Sequence, residues 1–170
     1  MTRYRAQSLR FRAALAALAV LGINCAHAGQ ATTSFTASAV IAPLCTVTAT
    51  NLAFGNYTST SATALTGTST INVFCTSGTT YTILLNIGSG GGTFAARTMA
   101  NGTNLMNYNL YTSAAHTTVW GDGTLSTGTM AGTGAGLLTS TPQTVFANIP
   151  ISQDLPAGTY QSVITVTVNY

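Results

Sequence analysis

The chain has 170 residues, is 46% hydrophobic and only 4% charged, and carries a formal charge of +3. Its length argues for one domain, and two histidines, two acidic residues and three cysteines leave little material for a metal cluster or a convergent catalytic centre. The positive balance is no nucleic-acid signature, because Arg3, Arg5, Arg10 and Arg12 all sit at the extreme N-terminus, and a phosphate-binding surface needs its cations gathered on a folded face.

Those arginines precede an apolar run from Ala13 to Ile23, followed by Ala26-His27-Ala28 before Gly29. Charge, short apolar core and small-x-small site in that order read as a signal peptide over 1–28. A membrane anchor is the competing reading, but the run is too short to span a bilayer. Leu21 four residues before Cys25 offers a lipoprotein reading, against which Asn24 stands. Cleavage after Ala28 leaves Arg97 against Asp122 and Asp154, a formal charge of −1. It also leaves two cysteines, Cys45 and Cys75. In an oxidising compartment such a pair is expected to form a disulfide, whose chain-entropy contribution over a loop of this size is roughly 3–4 kcal/mol. A surface this close to neutral favours association and suits a subunit of an assembly better than a free enzyme.

No segment after Gly29 has helical periodicity. Short apolar-alternating runs, rich in Thr, Val, Ile, Tyr and Phe and split by Gly, Ser and Asn, predict an all-β antiparallel sandwich or barrel. The first run is Thr33 to Ile41, which places Phe35, Ala37, Ala39 and Ile41 on one face. Pro43 interrupts it, having no N–H to give to a ladder. Leu44 to Ala49 resumes, and Asn51 to Tyr57 predicts a short strand broken at Gly55. Further strands are expected over Ser69 to Cys75, Tyr81 to Ile87 (the most apolar, hence central), Leu105 to Tyr111 and Gln143 to Ile149. The last, Tyr160 to Tyr170, alternates to the final residue. Gly88 to Thr93 and Gly132 to Gly136 read as turns, since no Gly-Lys-Ser/Thr and no helix follows either.

Candidate chemistry is sparse. His116 and Asp122 could belong to a hydrolase arrangement, and Asp122 with Asp154 to a two-carboxylate site. Turn roles explain both aspartates better, one in Trp120-Gly121-Asp122-Gly123 and one two residues before Pro156. Trp120 and Tyr111 are candidate glycan contacts. An exposed Trp120 could stack on a sugar, whereas a buried one is a large apolar anchor. Asn56-Tyr57-Thr58 and Asn101-Gly102-Thr103 match the glycosylation sequon in a chain where such matches arise readily by chance. No catalytic residue, cofactor or metal site is assigned.

Four stretches together carry a resemblance: CTVTATNLAFGNY from Cys45, INVFCTSGTTYTILLN from Ile71, TVWGDG from Thr118, and PAGTY with the terminal ITVTVNY. In these the chain resembles the spore coat protein U domain family, which includes pilin subunits of archaic chaperone–usher pili. The resemblance covers roughly residues 31–170. It implies an incomplete immunoglobulin-like antiparallel β-sandwich over 44–170 that lacks its last strand, with residues 29–43 as an N-terminal donor-strand extension. Phe35, Ala37, Ala39 and Ile41 would enter a neighbour, and Ile164, Val166, Val168 and Tyr170 would form one rim of the acceptor groove. The implied partners are like pilin subunits, a periplasmic chaperone and an outer-membrane usher. The implied setting is a secreted fibre at the cell surface, serving adhesion and biofilm formation. Two other readings stand beside it. In one, residues 33–41 are an ordinary first strand of a complete sandwich that binds glycan. In the other, the protein packs into a spore or cell envelope as a coat component.

Overall fold

The computed structural model describes residues 29–170; the signal-peptide expectation over 1–28 lies outside them. Residues 29–44 hold no regular secondary structure and are exposed throughout. The strand expected over 33–41 is therefore absent from the isolated chain. An alternating segment gains nothing from extension until an edge accepts its hydrogen bonds.

Eight strands follow: β1 (Cys45–Ala49), β2 (Leu65–Cys75), β3 (Thr80–Leu85), β4 (Arg97–Asn101), β5 (Asn104–Tyr111), β6 (Met130–Thr133), β7 (Thr141–Ile149) and β8 (Val166–Asn169). They make a five-stranded sheet in the order β1-β2-β7-β5-β4 and a three-stranded sheet in the order β6-β3-β8. Every strand pairing is antiparallel, and no described residue is helical. This is an all-β sandwich, with β3 central in its sheet as its apolar run requires.

Period-two burial builds the core. Ile71, Val73 and Cys75 of β2 turn inward beside Val145, Ala147 and Ile149 of β7, while Tyr81, Ile83 and Leu85 close the layer from β3. Met106, Tyr108 and Leu110 add the inner face of β5. Cys45 stands directly opposite Cys75 in the β1–β2 register, and the two form a disulfide. β4 and β5 meet through a two-residue turn in which Gly102 takes φ +61°, the left-handed conformation that a tight hairpin asks of its first residue.

Three local expectations differ from the structure. Asn51 to Tyr57 forms no strand, although Leu52, Phe54 and Tyr57 pack against the core. Tyr57 holds that loop in place, its hydroxyl donating to Pro150 O at 2.9 Å and accepting from Gln153 N at 2.9 Å. The terminal run is regular only over β8, with a single bridge from Gln161 to Ala100. Finally, β4 and β6 are strands at positions where alternation predicts none.

Candidate functional site

β1 and β8 each have one strand neighbour, β2 and β3 respectively, and they approach one another on the same side of the sandwich. An edge strand presents a row of backbone groups able to pair with another chain. Here two such edges face one opening. Past Ala49 the chain runs through Thr50 to Phe54, and before Val166 it runs from Tyr160 through Ile164; a groove of about 480 Å³ lies between them. Its floor is the core itself: Ile71, Met99, Tyr108, Leu110 and Val145 from one sheet and Leu85 from the other. In a complete two-sheet sandwich, side chains of a further strand would fill this space.

Each rim is held from behind. On the β1 side, Thr50 N donates to Thr70 O at 2.9 Å, and Ser69 Oγ donates to the Thr50 carbonyl. On the other side, Thr165 N donates to Asn86 Oδ1 at 2.9 Å and Val163 N to Ser89 Oγ at 2.8 Å. Ser89 N returns a bond to Val163 O, and Asn86 N to Thr165 O. These bonds fix residues 162–165 without making them a regular strand. Gly88 sits under this rim at φ +91°, where a β-carbon would collide with Ser162 Oγ and Ile164.

The candidate residues separate in space. Ile164 and Val166 line the groove. Val168 packs half-buried on the core, and Tyr170 is exposed beside Thr80 and Thr82. Phe35 is 91% and Ile41 82% exposed, and Ala37 and Ala39 are exposed with them. Trp120 is fully buried and its Nε1 donates to Ile83 O at 3.1 Å. It therefore offers no face to a sugar, and of the two readings weighed for it the buried apolar anchor is the one the fold adopts. Tyr111 is half-buried, packs its ring on His116 at 4.9 Å and donates to Asn148. Asp122 accepts from both the amide and the hydroxyl of Thr124, which hold its carboxyl below the usual range; this is the turn role. Among the described residues no three of His, Cys, Asp or Glu gather as a metal site.

Two residues that sequence reasoning did not single out matter here. Arg97 is fully buried. Its guanidinium donates to Asn109 Oδ1 at 2.7 Å, to Trp120 O at 2.6 Å and twice to Asn86 O, at 3.1 and 3.0 Å. Burial draws its pKa down from the ordinary arginine value, yet a guanidinium keeps its proton in proteins. Carbonyl dipoles thus do the work of a counter-ion. Because Asn86 also holds Thr165, the knot braces the groove rim. The signal was there to use: the one basic residue after Gly29 stands in a run with few other polar groups. The second residue is Tyr108, whose hydroxyl is buried in the groove floor beside Ser162. Burial pushes its phenol above the ordinary range, tempered by the nearby Ser162.

Comparison with known proteins bears on this arrangement. No curated protein matches the chain significantly, whereas ten chains of solved structures do. One is in the chaperone–tip adhesion subunit pre-assembly complex, CsuC–CsuE, from the archaic chaperone–usher Csu pili of Acinetobacter baumannii. It aligns with a TM-score of 0.56 at 23% identity, over 76% of this chain and 40% of that one. This chain thus spans about two fifths of that structure's length, and the likeness establishes a shared immunoglobulin-like fold. The family described as the Spore Coat Protein U domain matches residues 31–167. With that match over most of its length, the chain belongs to the Spore Coat Protein U domain family.

Proposed function

We propose that this protein is a structural pilin subunit, secreted through the periplasm and assembled head to tail into a surface fibre by donor-strand exchange. The observation that carries the reading is the pairing of an open groove with an exposed, uncharged segment of matching pattern. The groove offers two unpaired edges over an apolar floor. Residues 33–41 offer backbone groups for an edge, with Phe35, Ala37, Ala39 and Ile41 in phase to drop between the sheets. β-Strand addition draws affinity from the ladder and specificity from alternate side chains. Because one copy's extension meets another copy's groove, the contact is heterologous and does not close, so it propagates a filament.

Before assembly the same groove needs a cover, and a periplasmic chaperone would supply it, with an outer-membrane usher ordering the exchange. The relative solved in a chaperone pre-assembly complex supports that part of the reading. The fibre would serve adhesion and biofilm formation. No catalytic role is assigned.

The test is thermal unfolding of the chain from Gly29 and of a form lacking residues 30–41, each with and without a synthetic peptide of those residues. The truncated form should be unstable, and the peptide should raise its melting temperature sharply. A truncated form that folds well and ignores the peptide would mean a complete sandwich, and donor-strand exchange would be abandoned.

A further inference from the structure

The segment proposed as a donor is joined to the sandwich by a short junction, Ala42-Pro43-Leu44, directly before β1. Leu44 is already committed. Its N donates to Thr76 Oγ1 at 3.1 Å and its carbonyl accepts from Thr76 N at 2.9 Å, which carries the β1–β2 ladder one residue further. That register also fixes the free edge. Cys45, Val47 and Ala49 stand opposite Cys75, Val73 and Ile71, all buried, and so face inward, whereas Thr46 and Thr48 stand opposite Phe74 and Asn72 and face out. Leu44 and Thr50 spend their backbone groups on the β2 side, Thr50 N donating to Thr70 O at 2.9 Å. By the alternation of an antiparallel ladder, the groups of Cys45, Val47 and Ala49 are the ones left for an added strand.

We infer that this junction bars residues 33–41 from completing their own domain and reserves the groove for the extension of a second copy. The inference rests on the donor-strand reading and names what makes the exchange intermolecular. To fold back on β1, the chain must reverse between Ile41 and Cys45. A two-residue turn at Ala42-Pro43 pairs Ile41 with Leu44, whose groups Thr76 already holds. It also sets Phe35, Ala37, Ala39 and Ile41 on the outer face with Thr46 and Thr48, because a register shifted by one residue turns over every side chain. Pairing Ile41 with Cys45 restores the inward face but requires a three-residue loop, whose usual form is a type I turn followed by a left-handed residue. Ala42 would then be helical immediately before proline, which the ring opposes. Leu44 would have to turn left-handed, a conformation that bulky residues avoid, and release Thr76. A longer loop takes Ile41 out of the inward set. Running beside β8 instead means crossing from one sheet to the other, about 10 Å, on Ala42 and Pro43 alone, a span that only a taut chain covers. In agreement, residues 33–41 form no strand in the isolated chain. A second copy's segment has no turn to make and takes the inward register freely.

The test uses the chain from Gly29, kept dilute enough to remain monomeric, and a labelled synthetic peptide of residues 30–41. One variant carries Gly-Ser-Gly-Ser inserted between Ala42 and Pro43, which lets the segment reverse without strain. Another carries Pro43→Asp with Leu44→Gly, which suits the three-residue loop. Both should fill their own grooves: monomeric at every concentration, melting above the unmodified chain, and binding the peptide at least tenfold more weakly, because a tethered segment competes at an effective concentration on the order of millimolar. Deleting residues 30–41 from the lengthened variant should restore binding. The inference is overturned if the lengthened variant binds the peptide as tightly as the unmodified chain does. Should that variant fail to fold, undiminished binding by the doubly substituted one overturns it equally. It is overturned too if the unmodified chain refuses the peptide while a form lacking residues 30–41 takes it, because the extension then fills its own groove; the groove and the strand that fits it survive that outcome. If neither of those forms takes the peptide, the donor-strand reading falls as well.

Discussion

Two adjoining parts of the sandwich, a closed flank around Arg97 and an open flank at the groove, treat their polar groups in opposite ways, although they meet where Arg97 stands opposite Tyr108 across β4 and β5. Around Arg97, each guanidinium nitrogen meets an acceptor: Asn86, Asn109 and Trp120 close on the group, and the Trp120 indole closes on Ile83. Around the groove, two strand edges each lack a second neighbour. Both flanks draw on the same hydrophobic core, so burial alone does not separate them. What separates them is saturation. The closed flank satisfies its backbone and side-chain groups internally and reads as a foundation. The open flank leaves a coherent set of groups unsatisfied along one line, as a surface that awaits a strand would.

By that contrast, damage to the closed flank should cost folding, whereas damage to the open flank should cost partnership. The largest effect is expected from Arg97→Met. It removes the cation and leaves the carbonyls of Asn86 and Trp120 and the amide oxygen of Asn109 buried and short of donors. A loss of about 4 kcal/mol, by analogy with breaking buried polar pairs, should appear in urea denaturation even with the groove filled. Replacing Cys45 and Cys75 together with Ser comes next. It should cost about 3 kcal/mol and, because the bond pins the β1 edge to β2, should also weaken binding of the 30–41 peptide. A stability loss without any loss of peptide binding would show that β1 keeps its position without the bond.

The smallest effect is a pH dependence. The Tyr108 phenol is raised above its ordinary value of 10.0 by burial, so the folded state holds its proton longer than the unfolded state does. Its contribution to stability is therefore complete below that pH and is lost as pH rises through the folded value. Melting temperatures followed to alkaline pH should fall beyond about 10, the unperturbed phenol value. The fall should be shallower in Tyr108→Phe, and shallower at Tyr108 than at any exposed tyrosine similarly replaced.

Much of the closed core was legible because burial writes itself as alternation. Met106, Tyr108 and Leu110, or Val145, Ala147 and Ile149, share a face in the sequence and share it in the fold. Strands without alternation were not legible. β4, Arg97–Asn101, opens on a charge, and nothing local announces that its counter-charge is made of carbonyls contributed from three distant places in the chain. β6, Met130–Thr133, is short and contains a glycine; its pairing with β3 is a tertiary choice that a four-residue window does not express. Asn51 to Tyr57 misleads in the other direction. Its apolar residues do pack on the core, but from a loop that lines the groove, so burial is present and the ladder is not. The terminal run had the right phase for Ile164 and Val166 and too much regularity. The stretch from Ser162 to Thr165 bonds to the side chains and backbone of Asn86 and Ser89 rather than to a strand, a detail that depends on where a neighbouring turn happens to stand.

The burial of Arg97 has a consequence beyond folding. From Gly29 onward the chain has no lysine and no other arginine, and this one is fully enclosed. A protease that must seat a basic side chain in its specificity pocket finds no substrate bond on the folded surface. Cleavage at Arg97 requires that β4 leave the sandwich, so digestion by trypsin measures opening of the closed flank rather than exposure of a loop. The part of the chain from Gly29 onward is thus shielded from such a protease by what it omits, and the same omission makes Arg97 an internal gauge of its unfolding.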